Sequence, residues 1–319
     1  MPDQTARPQA ARGAAATRPA RGNRALVFLL LAYGISWAAL VPEAAASLGH
    51  LPRHVPGWAL YVLGGWGPAL AALLLTARDG GRAAVADLAG RLLAWRVGAR
   101  WYAVALVGAV GPLATAFGAH LAAGGTLPAL AGPGAAGPLA TGPLATGPLA
   151  AWGGALLVAG FTAVSLVGEE LGWRGYALPA LQARYSAAGA SLILGIMWGA
   201  WHLPMALAPA TGSAAVHIPL AWYLLDIIGA TFFYTWVVNS TGGSLLLATL
   251  IHTAGNVVSY YLPVATLAEG SGAGYLALIA VRWAVAGLLV WRAGGATLSR
   301  CPAEGNPYYA RAAREVSFD

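Results

Sequence analysis

The chain has 319 residues, 58% of them hydrophobic and only 9% charged. Soluble domains carry about 25% charged residues, so this composition excludes a water-soluble globule and indicates a polytopic membrane protein. All 18 basic residues are arginine; the net charge of +7 is explained by loop arginines that set topology, not by nucleic acid.

The absence of lysine points to a GC-rich bacterial genome. Cys301 is the single cysteine, which rules out an internal disulfide or a cysteine metal site.

In chain order, residues 1–24 are rich in Arg, Ala and Pro and read as a disordered basic tail able to touch anionic lipid. Apolar runs long enough to span a bilayer follow at 25–47, 57–77, 101–123, 151–171, 187–207, 218–239, 243–263 and 274–292. The first run precedes Ala44-Ala45-Ala46, as a cleavable signal would. It exceeds a signal core of roughly 7–15 residues, however, and its removal would strand the remaining arginines on opposite faces. Residues 83–100 suggest an interfacial helix, with Leu88, Leu92 and Trp95 on one stripe and Asp87 and Arg91 paired at i,i+4. Residues 137–150 repeat GPLAT and read as a loop on the extracytoplasmic side.

With eight alternating spans, the arginines of the N-terminal tail, of 78–100, of 174–184 and of the C-terminal tail fall on one side. The positive-inside rule makes both termini cytoplasmic. The expected organisation is a tail (1–24), an all-α transmembrane bundle (25–292) with a core at about 151–263, and a cytoplasmic tail (293–319).

Three polar motifs interrupt the apolar core. Glu169-Glu170-Leu171-Gly172-Trp173-Arg174 places two carboxylates and a guanidinium where each costs roughly 2.5–3.5 kcal/mol at mid-bilayer. Glu170 and Arg174, four apart, share a helix face and form a structural pair; Glu169 points about 100° away and is the chemical carboxylate. Trp198 and His202 are one turn apart in the fifth run, followed by Pro204. His202 suits a metal ligand, a proton-handling imidazole, or a core histidine bonded to a carbonyl. His252 and Asn256, at i,i+4 in the seventh run, suit oxyanion donors or interhelical hydrogen-bond partners.

These motifs in this order (EExxxR, aromatic-xxxH, HxxxN, each on its own span) resemble the CAAX prenyl endopeptidase and bacteriocin-processing (Abi) family of intramembrane proteases. The resemblance covers roughly 155–260. Trp198 stands where the family often has Phe. It implies a helical bundle with a cavity open to the cytosol, in which Glu169 and His202 activate a water and His252 and Asn256 hold the oxyanion. Glu170, Arg174 and Trp198 support them. Two mechanisms stay open: a zinc ion on Glu169, His202 and His252, or metal-free base catalysis. The implied substrate is a peptide or a membrane-protein tail in the lipid bilayer. In a bacterium, a peptide pheromone or bacteriocin precursor fits better than a prenylated protein.

Two other classes compete. A non-catalytic immunity or scaffold protein of the same fold need not keep every polar group. A proton-coupled transporter predicts an internal repeat, and none is visible. One tension remains within the favoured reading: Glu169 falls near the cytoplasmic end of its span, whereas His202 falls about 22 Å into its own. A span shift of about four residues is needed to join them. Asp226 and Arg282 are expected to pair or line the cavity, and Glu43 to mark an outer interface. His50, His54, His120 and His217 lie in or near outer loops without a catalytic role.

Overall fold

The computed structural model describes residues 24–52, 62–126, 148–207, 217–262 and 264–299. Residues 1–23, most of the GPLAT repeat (137–147), His54 and residues 300–319 with Cys301 lie outside them; the last residues of the repeat, 148–150, open the helix Pro148–Gly172 rather than a loop.

Every described segment is helical or a short connection, with no strand among the described residues. The helices are α1 (Arg24–Ser47), α2 (Gly67–Gly90), α3 (Ala99–Ala122), α4 (Pro148–Gly172), α5 (Leu178–Gln182), α6 (Ala187–Trp201), α7 (Leu203–Ala206), α8 (Leu220–Ser240), α9 (Leu245–Tyr261) and α10 (Ala273–Ala293). Four of them, α1, α3, α8 and α10, are long and apolar enough to cross a membrane; α6 and α9 are apolar but shorter. This is a multi-pass membrane protein.

Local chemistry sets the boundaries. Pro68 opens α2, where its missing N–H costs nothing. Ser186 caps α6 by accepting from Gly189 N at 3.1 Å, and Ser244 caps α9. The expected interfacial helix at 83–100 is only partly realised. α2 kinks at Gly81, whose φ of +64° a side chain would resist, and runs to Gly90. A 3₁₀ turn (Arg91–Leu93) and an irregular stretch complete the connection to α3. Leu88 is buried and Trp95 exposed, so the stripe does not hold together. Arg91 instead donates to two distant carbonyls, Gly243 O at 3.0 Å and Gly175 O at 3.1 Å.

The long helices pack in the spatial order α1–α2–α4–α9–α3–α10–α8–α6. The circle closes between α6 and α1, where Tyr33 donates to Met197 O and Trp37 Nε1 donates to Trp201 O at 3.0 Å. Ring packing of this kind leaves an interior that side chains must fill or line. Phe28 seals one flank, lying 5.5 Å from the Trp173 ring and 5.4 Å from Tyr176.

Candidate active site

The fourth helical run does not end near residue 171. α4 passes into a five-residue π-turn (Trp173–Ala177), which passes into α5. The helical path therefore extends roughly 20 Å beyond Glu169 before it reverses. α6 climbs about 16 Å from Ala187 to Trp198, so Trp198 returns to the level of Glu169. This removes the expected mismatch in depth. It also corrects the placement of Arg174, which is no loop residue: its side chain is completely buried, as is that of Glu170.

The interior polar groups form a chain. Arg174 Nη1 donates to Glu170 Oε1 at 2.9 Å, as the i,i+4 spacing predicts. His252 Nδ1 donates to the same oxygen at 2.8 Å. The guanidinium lies 4.0 Å from the Trp198 ring centroid and 4.1 Å from that of Tyr234, sandwiched by two π faces. Trp198 Nε1 donates to Glu169 Oε2 at 2.8 Å. His202 Nδ1 donates to Trp198 O, also at 2.8 Å. A carbonyl only accepts, so Nδ1 of His202 carries the hydrogen and Nε2 keeps its lone pair. The bond to Glu170 likewise occupies Nδ1 of His252 and leaves Nε2 available.

Trp198 stands at the centre. Its ring is 5.2 Å from that of His252 and 5.9 Å from that of His202. Glu169, His202, His252 and Asn256 all line one cavity of about 640 Å³, together with Trp198. Glu170 and Arg174 stand behind that wall. Two participants were not legible in the sequence. Tyr234 faces His252 at 6.0 Å and Tyr223 faces His202 at 5.6 Å. Both come from α8, which carries no motif, and only its place in the ring brings them in.

Asp226 and Arg282 both pair and line the cavity, at 2.6 Å. Glu43 is buried near the end of α1. His120 is buried too, its ring nitrogen 3.2 Å from Thr126 O, whereas His50 and His217 are exposed. The cavity walls come from the interior stretches of α3, α4, α6, α8, α9 and α10, and none from the arginine-bearing connections at 91–98 and 183–186. Among the described residues no three His, Cys, Asp or Glu side chains are gathered to hold a metal ion. Glu169 turns to Trp198 and His252 to Glu170.

The family profile for type II CAAX prenyl endopeptidase Rce1-like proteins matches residues 150–258. That stretch is similar to the CAAX prenyl endopeptidase family. It contains Glu169, Glu170, Arg174, Trp198, His202, His252 and Asn256, whereas α1–α3 and α10 lie outside it. CAAX prenyl protease 2 of Methanococcus maripaludis is 36% identical over 88 residues, which are 26% of this chain. The match spans about a third of that relative's length (32%).

Proposed function

We propose that the chain is an intramembrane endopeptidase that hydrolyses a peptide bond of a membrane-associated protein or peptide. One observation carries this reading: an acid, two histidines with available Nε2 atoms and an amide line a single cavity, backed by a buried Arg174–Glu170–His252 chain. A scaffold has no need of such convergence.

Glu169, oriented through one oxygen by Trp198, takes a proton from water. His202 Nε2 holds that water. The hydroxide adds to the scissile carbonyl, and the resulting oxyanion accepts from the Asn256 amide and from His252 in its protonated form. Glu170 lies against that imidazole and complements its charge. Collapse of the intermediate breaks the C–N bond, and the proton held by Glu169 passes to the leaving amine. No step passes through a metal.

The test uses purified protein in lipid nanodiscs, with a farnesylated CAAX peptide and a panel of unprenylated membrane-anchored peptides. The parent is expected to release a C-terminal fragment from at least one. Glu169→Gln should slow release at least about 100-fold. Cleavage that survives the substitution, or a parent that cleaves none, defeats the proposal.

A further inference from the structure

The cavity has a second polar pole on the walls formed by α8 and α10. Arg282 Nη1 donates to Asp226 Oδ2 at 2.6 Å, and Tyr275 Oη donates to the same oxygen at 3.4 Å. Arg282 and Tyr275 belong to α10, beyond the stretch matched by the family. Helix attachment alone does not explain the pair, because Trp283 Nε1 already joins α10 to α8 through Leu225 O at 2.9 Å. A charge pair inside a membrane bundle is costly to bury and marks function by default.

Hydrogen-bond accounting makes this pole specific. A peptide entering an apolar cavity must find donors for its carbonyls, since each one left unsatisfied costs several kcal/mol. Thr115 and Ser259 line the wall but return their hydroxyls to their own helices, at Gly111 O and Gly255 O. Arg282 differs. Its guanidinium has five N–H donors in a rigid fork, Asp226 fixes its orientation through one of them, and its side chain is 22% exposed. Asp226 lies one turn from Tyr223, which touches His202, and about 12 Å along α8 from Tyr234, which touches His252. About two to four extended residues bridge such distances at roughly 3.3–3.6 Å each.

We infer that Arg282, aimed by Asp226, is a substrate anchor: it binds an oxygen acceptor of the peptide, a backbone carbonyl or a carboxylate, about two to four residues from the scissile bond. The anchor rests on the protease reading for its meaning but not for its test.

Binding is measured on Glu169→Gln protein in nanodiscs, where no turnover intervenes. The probe is a pool of N-acetylated apolar hexapeptides in two forms, with a free C-terminus and with a C-terminal amide, and the readouts are ligand-induced thermal stabilisation and native mass spectrometry. The comparison protein adds Asp226→Asn with Arg282→Gln, which keeps a neutral hydrogen-bonded pair and the fold. Arg282→Lys, which keeps the charge without the fork, is the second variant. At least about tenfold weaker binding in the double variant is expected. Loss for both peptide forms identifies a carbonyl; loss for the free acid alone identifies a carboxylate. Undiminished binding in both variants, or no peptide retained by the unsubstituted pair, overturns the anchor. Arg282-dependent binding without cleavage by the parent would sink the protease and leave the anchor standing. Cleavage with an unchanged KM in the double variant would do the reverse.

Discussion

At the scale of single residues, Glu169 and Glu170 are neighbours with opposite duties. Glu170 holds Arg174 and His252 on one oxygen within a fully buried wall. Removing it takes the carboxylate from the buried Arg174 guanidinium, so Glu170→Ala should destabilise by about 1–3 kcal/mol and lower the melting temperature in detergent. Glu169→Gln keeps a group able to accept from Trp198 and should melt with the parent while losing activity. If both variants melt alike, the division of labour between the two carboxylates is wrong. The donor arrangement yields a second expectation. With Glu169 turned to Trp198 and His252 to Glu170, activity should persist after dialysis against a strong zinc chelator. Activity that is abolished by chelation and restored by zinc would mean that these side chains regroup around an ion.

At the scale of elements, the close approach of α4 to α2 fixes the acid motif. A Cβ on Gly172 would lie 2.6 Å from the carbonyl carbon of Pro68 and 2.7 Å from its oxygen, backbone atoms that cannot swing aside. Gly172→Ala should therefore destabilise by about 1–3 kcal/mol and displace Glu169 and Glu170. Gly160→Ala in the same helix meets nothing within 4 Å and should be neutral or mildly stabilising. Equal melting temperatures for the two variants would refute the packing argument. The same junction shows what the sequence could and could not reveal. EExxxR, Trp198…His202 and His252…Asn256 stand out because charged or polar groups in apolar runs are conspicuous, and the i,i+4 spacing placed Glu170 on Arg174. The continuation through Trp173–Ala177 into α5 was hidden. Two glycines, two glutamates and an arginine look like a helix end meeting water, and only burial by α1, α2 and α9 makes them interior. His252 pairing with Glu170 was hidden for a related reason, since it depends on the relative height of two helices far apart in sequence.

At the scale of the whole molecule, the ring has two chemically different ends. Backbone bonds join the start of α6 to the stretch after α10: Ala187 N donates to Ala296 O and Ala188 N to Gly295 O, both at 2.9 Å. Arg91 and Ser244 tie the α2–α3 connection to the start of α9. Arg91, Arg96, Arg100, Arg184 and Arg292 therefore gather at one end, and the opposite end has Glu269 in the turn before α10. Positive charge on short connections is retained in the cytoplasm, so the arginine-bearing end is expected inside and the segment after α10 with it. The chain's single cysteine, Cys301, follows α10 directly in the sequence and reports on that segment without any engineering. In intact cells expressing the protein, a membrane-impermeant maleimide should leave it unlabelled, and permeabilisation should expose it. Labelling in intact cells would invert the molecule, and the consequence reaches the site. The cavity is lined by stretches set back from the arginine-bearing end. With that end inside, the cavity's depth from the cytoplasmic face favours a substrate that enters from within the bilayer. With it outside, the same cavity would receive cytoplasmic chains.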